Sequence, residues 1–258
     1  MSKNKTSDIV VFLDETTSTN QYLKDLAQLE KLREGTTIVA EYQKSGRGCA
    51  ENSWESEKGE NILFSSLFFP DFIPAHKQFI LSEVASISIL EALKKETTSI
   101  DSTLAANFSI KWPNDIYWQN KKIGGILIEN TISGNFIKQT IMGIGININQ
   151  NIFRSDAPNP VSLKQIFNID FDKKILFIQI LQNLHFNYIR LMKNGSNTIH
   201  ETYMEHLFWK NGIHPFYSQT EGQFNAYIKS IDSSGRLILE KESGKKKAFL
   251  FKEVKFLL

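Results

Sequence analysis

The sequence has few of several residue types and patterns, and each shortage excludes a class of protein. Only one of its 258 residues is a cysteine, Cys49, which excludes an internal disulfide framework and a zinc site built from several cysteines. Thirty Lys and Arg residues balance 28 Asp and Glu residues, and a net charge of +2 does not indicate general nucleic-acid affinity. No apolar run approaches the roughly 20 residues that a membrane span requires, and residues 1–6 are polar, unlike a secretion signal. We therefore predict a cytoplasmic protein with neither a membrane nor a DNA partner.

Enough apolar residues are present to build a substantial core. Hydrophobic residues make up 41% of the chain and include 19 Phe, and the length suits one large domain or a core domain with a small one appended. Apolar runs bounded by polar residues indicate strands, and apolar residues three and four apart indicate helices. Strands are predicted at 9–13, 36–42, 61–69, 116–118, 123–132 and 135–149, and helices at 20–32, 76–95, 172–192 and 197–209.

The last part of the chain has a different texture. From about Gly212, short segments of alternating apolar and polar residues, at 224–231, 237–240 and 248–251, are separated by Ser- and Gly-containing turns. Such a run of short strands is typical of a small β-barrel. The predicted fold class is therefore α+β, with a mixed β-sheet and helices over residues 1–210 and a small β domain over residues 211–258.

Two segments in the middle of the chain offer groups for chemistry, and each has a structural alternative. Lys111–Asp115 presents a cation, an amide and a carboxylate around Pro113, which fixes a bend after a strand; a turn with solvated charges is the alternative. Lys122–Leu127 places two adjacent glycines in an apolar strand. Such glycines suit a place where a ligand approaches the backbone closely, and a β-bulge explains them equally well.

Two further glycine-containing segments are candidates for ligand contact. Ser45–Gly48 lies in a long polar loop over 43–60 and combines backbone amides with Arg47, which suits a phosphate or carboxylate, although a flexible turn is the alternative. Gly143–Asn149 alternates glycines and amides along a strand, so one face admits either a ligand or a tightly packed helix. The five histidines have no metal-ligand spacing.

These segments, taken in order, resemble the catalytic domain of biotin–protein ligases. The most specific match is Lys-Trp-Pro-Asn-Asp at 111–115 followed by Lys-x-Gly-Gly-Ile-Leu at 122–127. The tail from Gly222 to Leu258 resembles the SH3-like barrel that follows this domain in the family. The remaining matches are Ser18-Thr19-Asn20, Glu41-Tyr42-Gln43, Gly46-Arg47-Gly48, Trp54 and Gly143–Asn147.

The resemblance implies a fold, an activity and partners. The fold is a catalytic domain like that of class II aminoacyl-tRNA synthetases. The activity is activation of biotin by ATP, with Mg²⁺, to give biotinyl-5′-AMP and pyrophosphate. Biotin then passes to a lysine of a biotin carboxyl carrier domain, and AMP leaves. A homodimer is compatible with this resemblance, and no residue can be assigned to the metal.

The resemblance also implies a role for particular residues. Biotin would be bound by Ser18, Thr19, Gln43, Gly46, Arg47, Lys122 and Gly125. The adenylate would be bound by Trp54, Asn114 and Asn147. The catalytic groups would include Lys122 and Arg47, because cations aimed at carboxylate and phosphate oxygens bring two anions together. Lys111 and Asp115 would border the point where the acceptor amine enters.

Two departures from the family pattern matter. After Gly-Arg-Gly the family usually continues with arginine and glycine, whereas this chain reads Cys49-Ala50-Glu51-Asn52, so we expect a weaker hold on the adenylate unless Lys44 or Lys58 compensates. The chain also begins directly at the first catalytic strand, which predicts the short form without a DNA-binding domain or repressor role. The alternatives are a lipoate or octanoate ligase or transferase of the same fold, and a biotin-binding module without ligase activity. Trp112-Pro113 and Gln43 favour biotin.

Overall fold

The computed structural model describes residues 10–49, 52–155 and 158–258, so Ile9, Ala50 and Glu51 of the segments above lie outside the described residues. The chain divides into two compact units. One comprises the residues up to Ile73 together with Ile123–Phe177, and the other comprises Pro74–Lys122 together with Ile178–Leu258. No helix in the described part of the chain is long and apolar enough to cross a membrane.

Helices and strands alternate in the first two thirds of the chain, and strands dominate the last third. The order is β1 (Val10–Leu13), α1 (Thr19–Leu29), β2 (Thr37–Ala40), β3 (Ile62–Phe68), a 3₁₀ turn (Ala75–Lys77), α2 (Ile80–Thr98), α3 (Ser102–Ala105), β4 (Phe108–Lys111), β5 (Asp115–Trp118), β6 (Lys121–Ser133), β7 (Phe136–Ile146), α4 (Leu163–Phe167), α5 (Lys173–Asn194), α6 (Asn197–Glu205), β8 (His214–Ser218), β9 (Gly222–Ile231), β10 (Leu237–Glu240), β11 (Lys246–Phe249) and β12 (Val254–Phe256).

The first unit is a mixed sheet covered by α1. Its strands lie in the order β1-β2-β3-β7-β6, with β1 parallel to β2 and the other neighbours antiparallel. Leu23 of α1 packs with Ile38, Leu67 and Ile141 in one core cluster. All seven residues of β3 are buried, which is typical of a central strand covered on both faces, and its two serines are therefore polar groups inside the core.

The second unit combines helices, a strand pair and a separate sheet. Helix α2 contacts α3, α6, β4 and β5, and β4 pairs with β5 in an antiparallel register that sets Lys111 opposite Asp115. The separate sheet has the order β11-β10-β9-β8-β12, with every pair antiparallel. No pairing among its described strands closes it, but its five short strands are consistent with an SH3-like barrel. The predicted α+β class with a second β-sheet at the C-terminus is confirmed.

Several element boundaries differ from the prediction for identifiable reasons. The helix predicted at 76–95 is a 3₁₀ turn followed by α2, and the helix predicted at 197–209 ends at Glu205. The strand predicted at 248–251 ends at Phe249, because the Leu250 amide donates to the Glu253 carboxylate in a turn. Strand β8 was missed because Pro215 argues against a strand. The short elements β4, β12, α3 and α4 contain too few residues to show a period. The boundary predicted at 210/211 stays a prediction.

Candidate active site

A buried network of hydrogen bonds connects α1, β3 and the segment after β2. The Ser65 hydroxyl lies 2.5 Å from Asn20 Oδ1 and 2.7 Å from Thr19 Oγ1. Gln43 Oε1 accepts from the Thr19 backbone N–H at 2.8 Å and lies 3.1 Å from the Thr19 hydroxyl. Ser18 is the N-cap residue of α1, but its side chain makes no capping hydrogen bond. The structure thus joins Thr19 to Gln43 by hydrogen bonds, with Ser18 next to Thr19 in the chain, and the assignment of these residues to biotin stays a prediction.

The same network reaches Arg47 through a carboxylate. Glu129 Oε2 lies 2.6 Å from Arg47 Nη2 and accepts from Asn20 Nδ2 at 2.8 Å. Asn20 Nδ2 also lies 3.3 Å from the Leu127 carbonyl oxygen. Sequence reasoning did not assign Asn20, Ser65 or Glu129 to the site. The available signals were a serine pair inside an otherwise apolar strand and a glutamate two residues after the glycine-containing motif.

A cavity of about 680 Å³ lies beside Arg47. Its shape depends on how the loop after Gln43 folds back. The backbone N–H of Trp54 donates to the Gly46 carbonyl at 2.8 Å, and Arg47 and Ser53 form an isolated antiparallel β-bridge. Gly46 must be glycine, because a Cβ there would overlap the Trp54 carbonyl oxygen. The described residues that line the cavity are Lys44, Ser45, Gly46, Arg47, Gly48, Asn52, Ser53, Leu127 and Glu129.

The two lysines of the loop, like Arg47, have carboxylate partners. Lys44 lies 2.6 Å from Glu15, and Lys58 lies 2.7 Å from Asp14. The Cys49 thiol points toward the Ile126 carbonyl at 3.6 Å. Because Ala50 and Glu51 lie outside the described residues, the expected weak hold on an adenylate stays a prediction.

The alternate glycines of β7 accommodate protein side chains. A Cβ at Gly143 would overlap the Asn20 amide, and a Cβ at Gly145 would lie 2.6 Å from the Trp54 ring. The strand face is therefore packed against α1 and Trp54, which favours the structural alternative at this segment. Gly125 lies opposite Gly145 in the β6–β7 register.

Asn147 combines a structural contact with an open acceptor. It is buried, and its Nδ2 donates to the Val161 carbonyl at 3.1 Å. Its Oδ1 is buried and has no hydrogen-bond partner among the described residues. A buried acceptor of this kind is costly unless a ligand or water donates to it.

The second unit carries a compact group of charges at the β4–β5 turn. Lys122 Nζ lies 2.7 Å from Asp115 Oδ1, and both side chains are largely buried. Lys111 Nζ lies 5.0 Å and 4.8 Å from the ring centroids of Tyr117 and Phe256. Burial is the main cause of a lowered pKa of Lys111, which Asp115 opposes and Lys122 reinforces.

The turn between these charges is held on two sides. It contains a cis Trp112–Pro113 peptide bond and half-buried Asn114. The Trp112 indole N–H donates to the Gly235 carbonyl at 2.9 Å, and the Tyr203 hydroxyl lies 3.4 Å from the Pro113 carbonyl.

The predicted site residues form two groups, one in each unit. The first unit holds Ser18, Thr19, Gln43, Gly46, Arg47, Trp54, Gly125 and Asn147, and the second holds Lys111, Asn114, Asp115 and Lys122.

Comparison with known proteins decides the family. Residues 12–147 match the model of the biotin/lipoate A/B protein ligase family. The chain belongs to this family. A curated relative from Bacillus spizizenii, the bifunctional ligase/repressor BirA, is 30% identical over 250 residues, covering 93% of this chain and 72% of that protein. A human biotin–protein ligase is 29% identical over 146 residues, covering 54% of this chain and 19% of that protein.

A solved structure supports the same assignment. The biotin protein ligase from Aquifex aeolicus in complex with biotin and ATP is similar to this chain with a TM-score of 0.76 and 27% identity. The match covers 96% of this chain and 98% of that one, so it includes both the mixed sheet and the C-terminal sheet of this family member.

Proposed function

We propose that this family member is a biotin–protein ligase that forms biotinyl-5′-AMP from biotin and ATP and transfers the biotinyl group to a lysine of a biotin carboxyl carrier domain. The observation that carries the proposal is the polar network of the first unit, in which the Thr19–Gln43 pair is connected to Arg47 beside a cavity of about 680 Å³. The named relatives and the Aquifex complex favour biotin over lipoate or octanoate as the substrate.

Biotin presents a neutral cyclic urea and a carboxylate, and the first unit offers groups for both. Ser18, Thr19 and Gln43 supply hydroxyl and amide groups that suit the N–H and C=O groups of the urea. Arg47 and the neighbouring loop amides, including that of Gly46, suit the carboxylate, because an arginine binds a carboxylate through charge-assisted hydrogen bonds.

Adenylation joins two anions, so its main requirement is positive charge at the reacting oxygens. A carboxylate oxygen of biotin attacks the α-phosphorus of ATP, and pyrophosphate leaves. In our proposal Lys122 stabilises the charge that develops at the α-phosphate, and Gly125 leaves room for the ligand against β6. Trp54, Asn114 and Asn147 bind the adenylate, with the buried Oδ1 of Asn147 available to accept from it.

Transfer requires a neutral lysine of the carrier domain. Its amine attacks the carbonyl carbon of the mixed anhydride, and AMP leaves with the electron pair of the broken C–O bond. We propose that Lys111 and Asp115 border the entry point of this amine, where the Asp115 carboxylate could accept its proton. The ion pair of Asp115 with Lys122 places a proton acceptor and a phosphate-binding cation 2.7 Å apart.

ATP requires a metal, and the described residues fit one that arrives with the nucleotide. No group of three His, Cys, Asp or Glu side chains among residues 10–49, 52–155 and 158–258 could hold a metal ion. Mg²⁺ normally keeps several waters and binds through one or two carboxylates and the phosphates, so a dedicated protein cage is not required. Mg²⁺, the carrier domain, a possible homodimer, the absence of a DNA partner and a cytoplasmic location all remain predictions.

Pyrophosphate release with biotin, and then with octanoate, tests the proposal. In the presence of ATP, we expect pyrophosphate release with biotin and not with octanoate, followed by biotinylation of an added carrier domain. Release with octanoate and not with biotin would instead identify a lipoate- or octanoate-type enzyme. Biotin binding without pyrophosphate release would identify a binding module.

A further inference from the structure

Glu129 is a charged residue at a position that the proposed chemistry does not use. It lies on β6, two residues beyond the glycine-containing motif, and its side chain is mostly buried, with 28% of its surface exposed. Its Oε2 accepts from both Arg47 and Asn20. A carboxylate accepts hydrogen bonds and donates none, so Glu129 fixes the direction of every bond that it makes.

The first consequence is the orientation of the Asn20 amide. Its nitrogen faces two acceptors, the Glu129 carboxylate at 2.8 Å and the Leu127 carbonyl at 3.3 Å. The reverse orientation would place Asn20 Oδ1 against both of these acceptors. The Asn20 oxygen is therefore directed at Ser65, and it can only accept there.

The second consequence is the position of the hydroxyl protons. Ser65 Oγ lies close to two oxygens, Asn20 Oδ1 at 2.5 Å and Thr19 Oγ1 at 2.7 Å, but it has one proton. Because Asn20 Oδ1 has no proton, the Ser65 proton lies in that contact. The contact between Ser65 and Thr19 then requires the proton of Thr19.

The third consequence concerns what the site presents to a ligand. The Thr19 hydroxyl has one proton, and directing it at Ser65 withdraws it from Gln43 Oε1 at 3.1 Å, an oxygen that the Thr19 backbone N–H already supplies. The lone pairs of the Thr19 hydroxyl are then available to accept. Gln43 Oε1 is held by the Thr19 backbone N–H at 2.8 Å, which leaves the Gln43 NH₂ group as a donor. An acceptor and a donor side by side complement the N–H and C=O groups of a cyclic urea.

We propose that Glu129 is a positioning residue for ring recognition, which acts through Asn20 and Ser65 to make the Thr19 hydroxyl an acceptor beside the Gln43 donor. The proposal rests on the proposed function, because it takes the cyclic urea of biotin as the ligand. Glu129 acts through the network and does not touch the urea. Glu129 also contacts Arg47, which in our proposal binds the carboxylate of biotin. A ligand without that carboxylate separates the effect of Glu129 on ring recognition from its effect on Arg47.

Calorimetric binding of biotin and of biotinol, in which a hydroxymethyl group replaces the carboxylate, provides that separation. We expect Glu129→Ala to weaken binding of both ligands by about 10-fold, the loss of roughly one hydrogen bond to a charged group. We expect Glu129→Gln to bind biotinol within about 3-fold of the unaltered protein, because its side-chain oxygen still accepts from Asn20. Unchanged biotinol binding by Glu129→Ala, or a failure of Glu129→Gln to restore it, would overturn the proposal.

Ser65→Ala tests the middle of the network without altering Glu129 or Arg47. It should weaken biotinol by a similar factor, and the Glu129→Ala/Ser65→Ala double variant should be no weaker than the weaker single variant, since both interrupt one network. Additive losses would contradict the proposal. It also remains testable through Ser65→Ala if Glu129→Ala does not fold.

Asp170→Ala is the matched control. It removes a carboxylate that pairs with Lys164 at 2.6 Å in the same unit and should leave biotinol binding unchanged. An equal loss in this control would overturn the proposal by showing that the effect is not specific to the network. If the unaltered protein binds neither ligand, it is the proposed function that fails.

Discussion

At the scale of single residues, Lys122 has the most demanding proposed role. Its ammonium group lies 2.7 Å from the Asp115 carboxylate in a partly buried setting. The ion pair keeps a cation at the β4–β5 turn, and a phosphate or carboxylate ligand would compete with Asp115 for it. The chemistry therefore depends on a cation whose position is already fixed by a neighbouring carboxylate.

Lys122→Ala should slow formation of biotinyl-adenylate by about 100-fold or more, because charge stabilisation at the α-phosphorus is lost. Pre-steady-state pyrophosphate release measures this rate directly. Lys138→Ala, which removes a cation from an exposed position on β7, is the control and should leave the rate unchanged. Adenylate formation at the normal rate in Lys122→Ala would show that the assigned role is wrong.

The sequence motifs predicted which chemical groups belong to the site better than they predicted the contacts between those groups. Motif order alone led to Thr19, Gln43 and Arg47, and the structure connects these residues. Motif order did not lead to Ser65 or Glu129, because their contacts are with α1 and the loop after β2, which are distant in sequence. Gly143 illustrates the same limit, since its lack of a side chain accommodates Asn20, which lies more than 100 residues earlier.

At the scale of elements, the loop between β2 and β3 is the segment most directly linked to ligand binding. Part of it is already held by hydrogen bonds, with Trp54 N–H donating to Gly46 and Gly48 N–H to Asn52. Its lysine ion pairs are exposed, and such pairs contribute little to stability. The described residues of the loop are therefore held by backbone contacts that a bound anion at Arg47 would reinforce.

Hydrogen exchange should report this reinforcement. Amides of residues 44–54 should exchange more slowly when biotin or the adenylate is bound, since ligand contacts shield the site from water. A peptide spanning Ile62–Phe68, which is buried throughout, serves as the internal control and should not change. Equal exchange of the loop peptide with and without ligand would argue against its closing over biotin.

The contact between α2 and α6 should make stability depend on pH. His200 Nδ1 lies 2.8 Å from the buried carboxylate of Glu83. The hydrogen bond to Glu83 is the main cause of a raised pKa of His200, and burial raises the pKa of Glu83. A raised histidine pKa means that the folded state keeps its proton to a higher pH than the unfolded chain. The stabilisation is complete below about pH 6.5 and is lost as pH rises through the folded pKa.

Urea unfolding at pH 6, 7 and 8 measures this dependence. The His200–Glu83 pair should make the unfolding free energy fall as the pH rises, whereas the lowered pKa that burial gives His206 acts in the opposite direction. His200→Asn should therefore shift the dependence of the unfolding free energy on pH toward a smaller fall or a steeper rise. His76→Asn, at an exposed position in the 3₁₀ turn, should keep the slope of the unaltered protein. An unchanged slope in His200→Asn would refute the contribution of this pair.

Long hydrophobic patterns predicted their elements, whereas some short elements were missed. The buried runs of β3 and β7 and the periodic helices α1 and α5 could be predicted because apolar residues recur over many positions. Helix α4 contains five residues and is defined by the Ser162–Gln165 capping box. Its formation depends on caps and packing that no hydrophobic period records.

At the scale of the whole molecule, the two compact units each contain part of the predicted machinery. The first has all of the residues suited to biotin except Lys122, and most of those suited to the adenylate. The second has Lys122, Lys111, Asn114 and Asp115. The match to the Aquifex ligase extends over 96% of the chain, so the similarity includes the residues of both units. A ligase needs all of these groups, whereas a binding module needs only those that hold biotin.

The proposed function depends first on formation of biotinyl-5′-AMP by this chain. The most direct measurement is a single-turnover reaction with biotin, ATP and Mg²⁺, quenched in acid and analysed by mass spectrometry for the free small molecules. We expect biotinyl-adenylate and pyrophosphate in equal amounts, up to about one per chain, and neither product from Lys122→Ala on the same time scale. Recovery of unchanged biotin and ATP from the unaltered protein would contradict the proposed function.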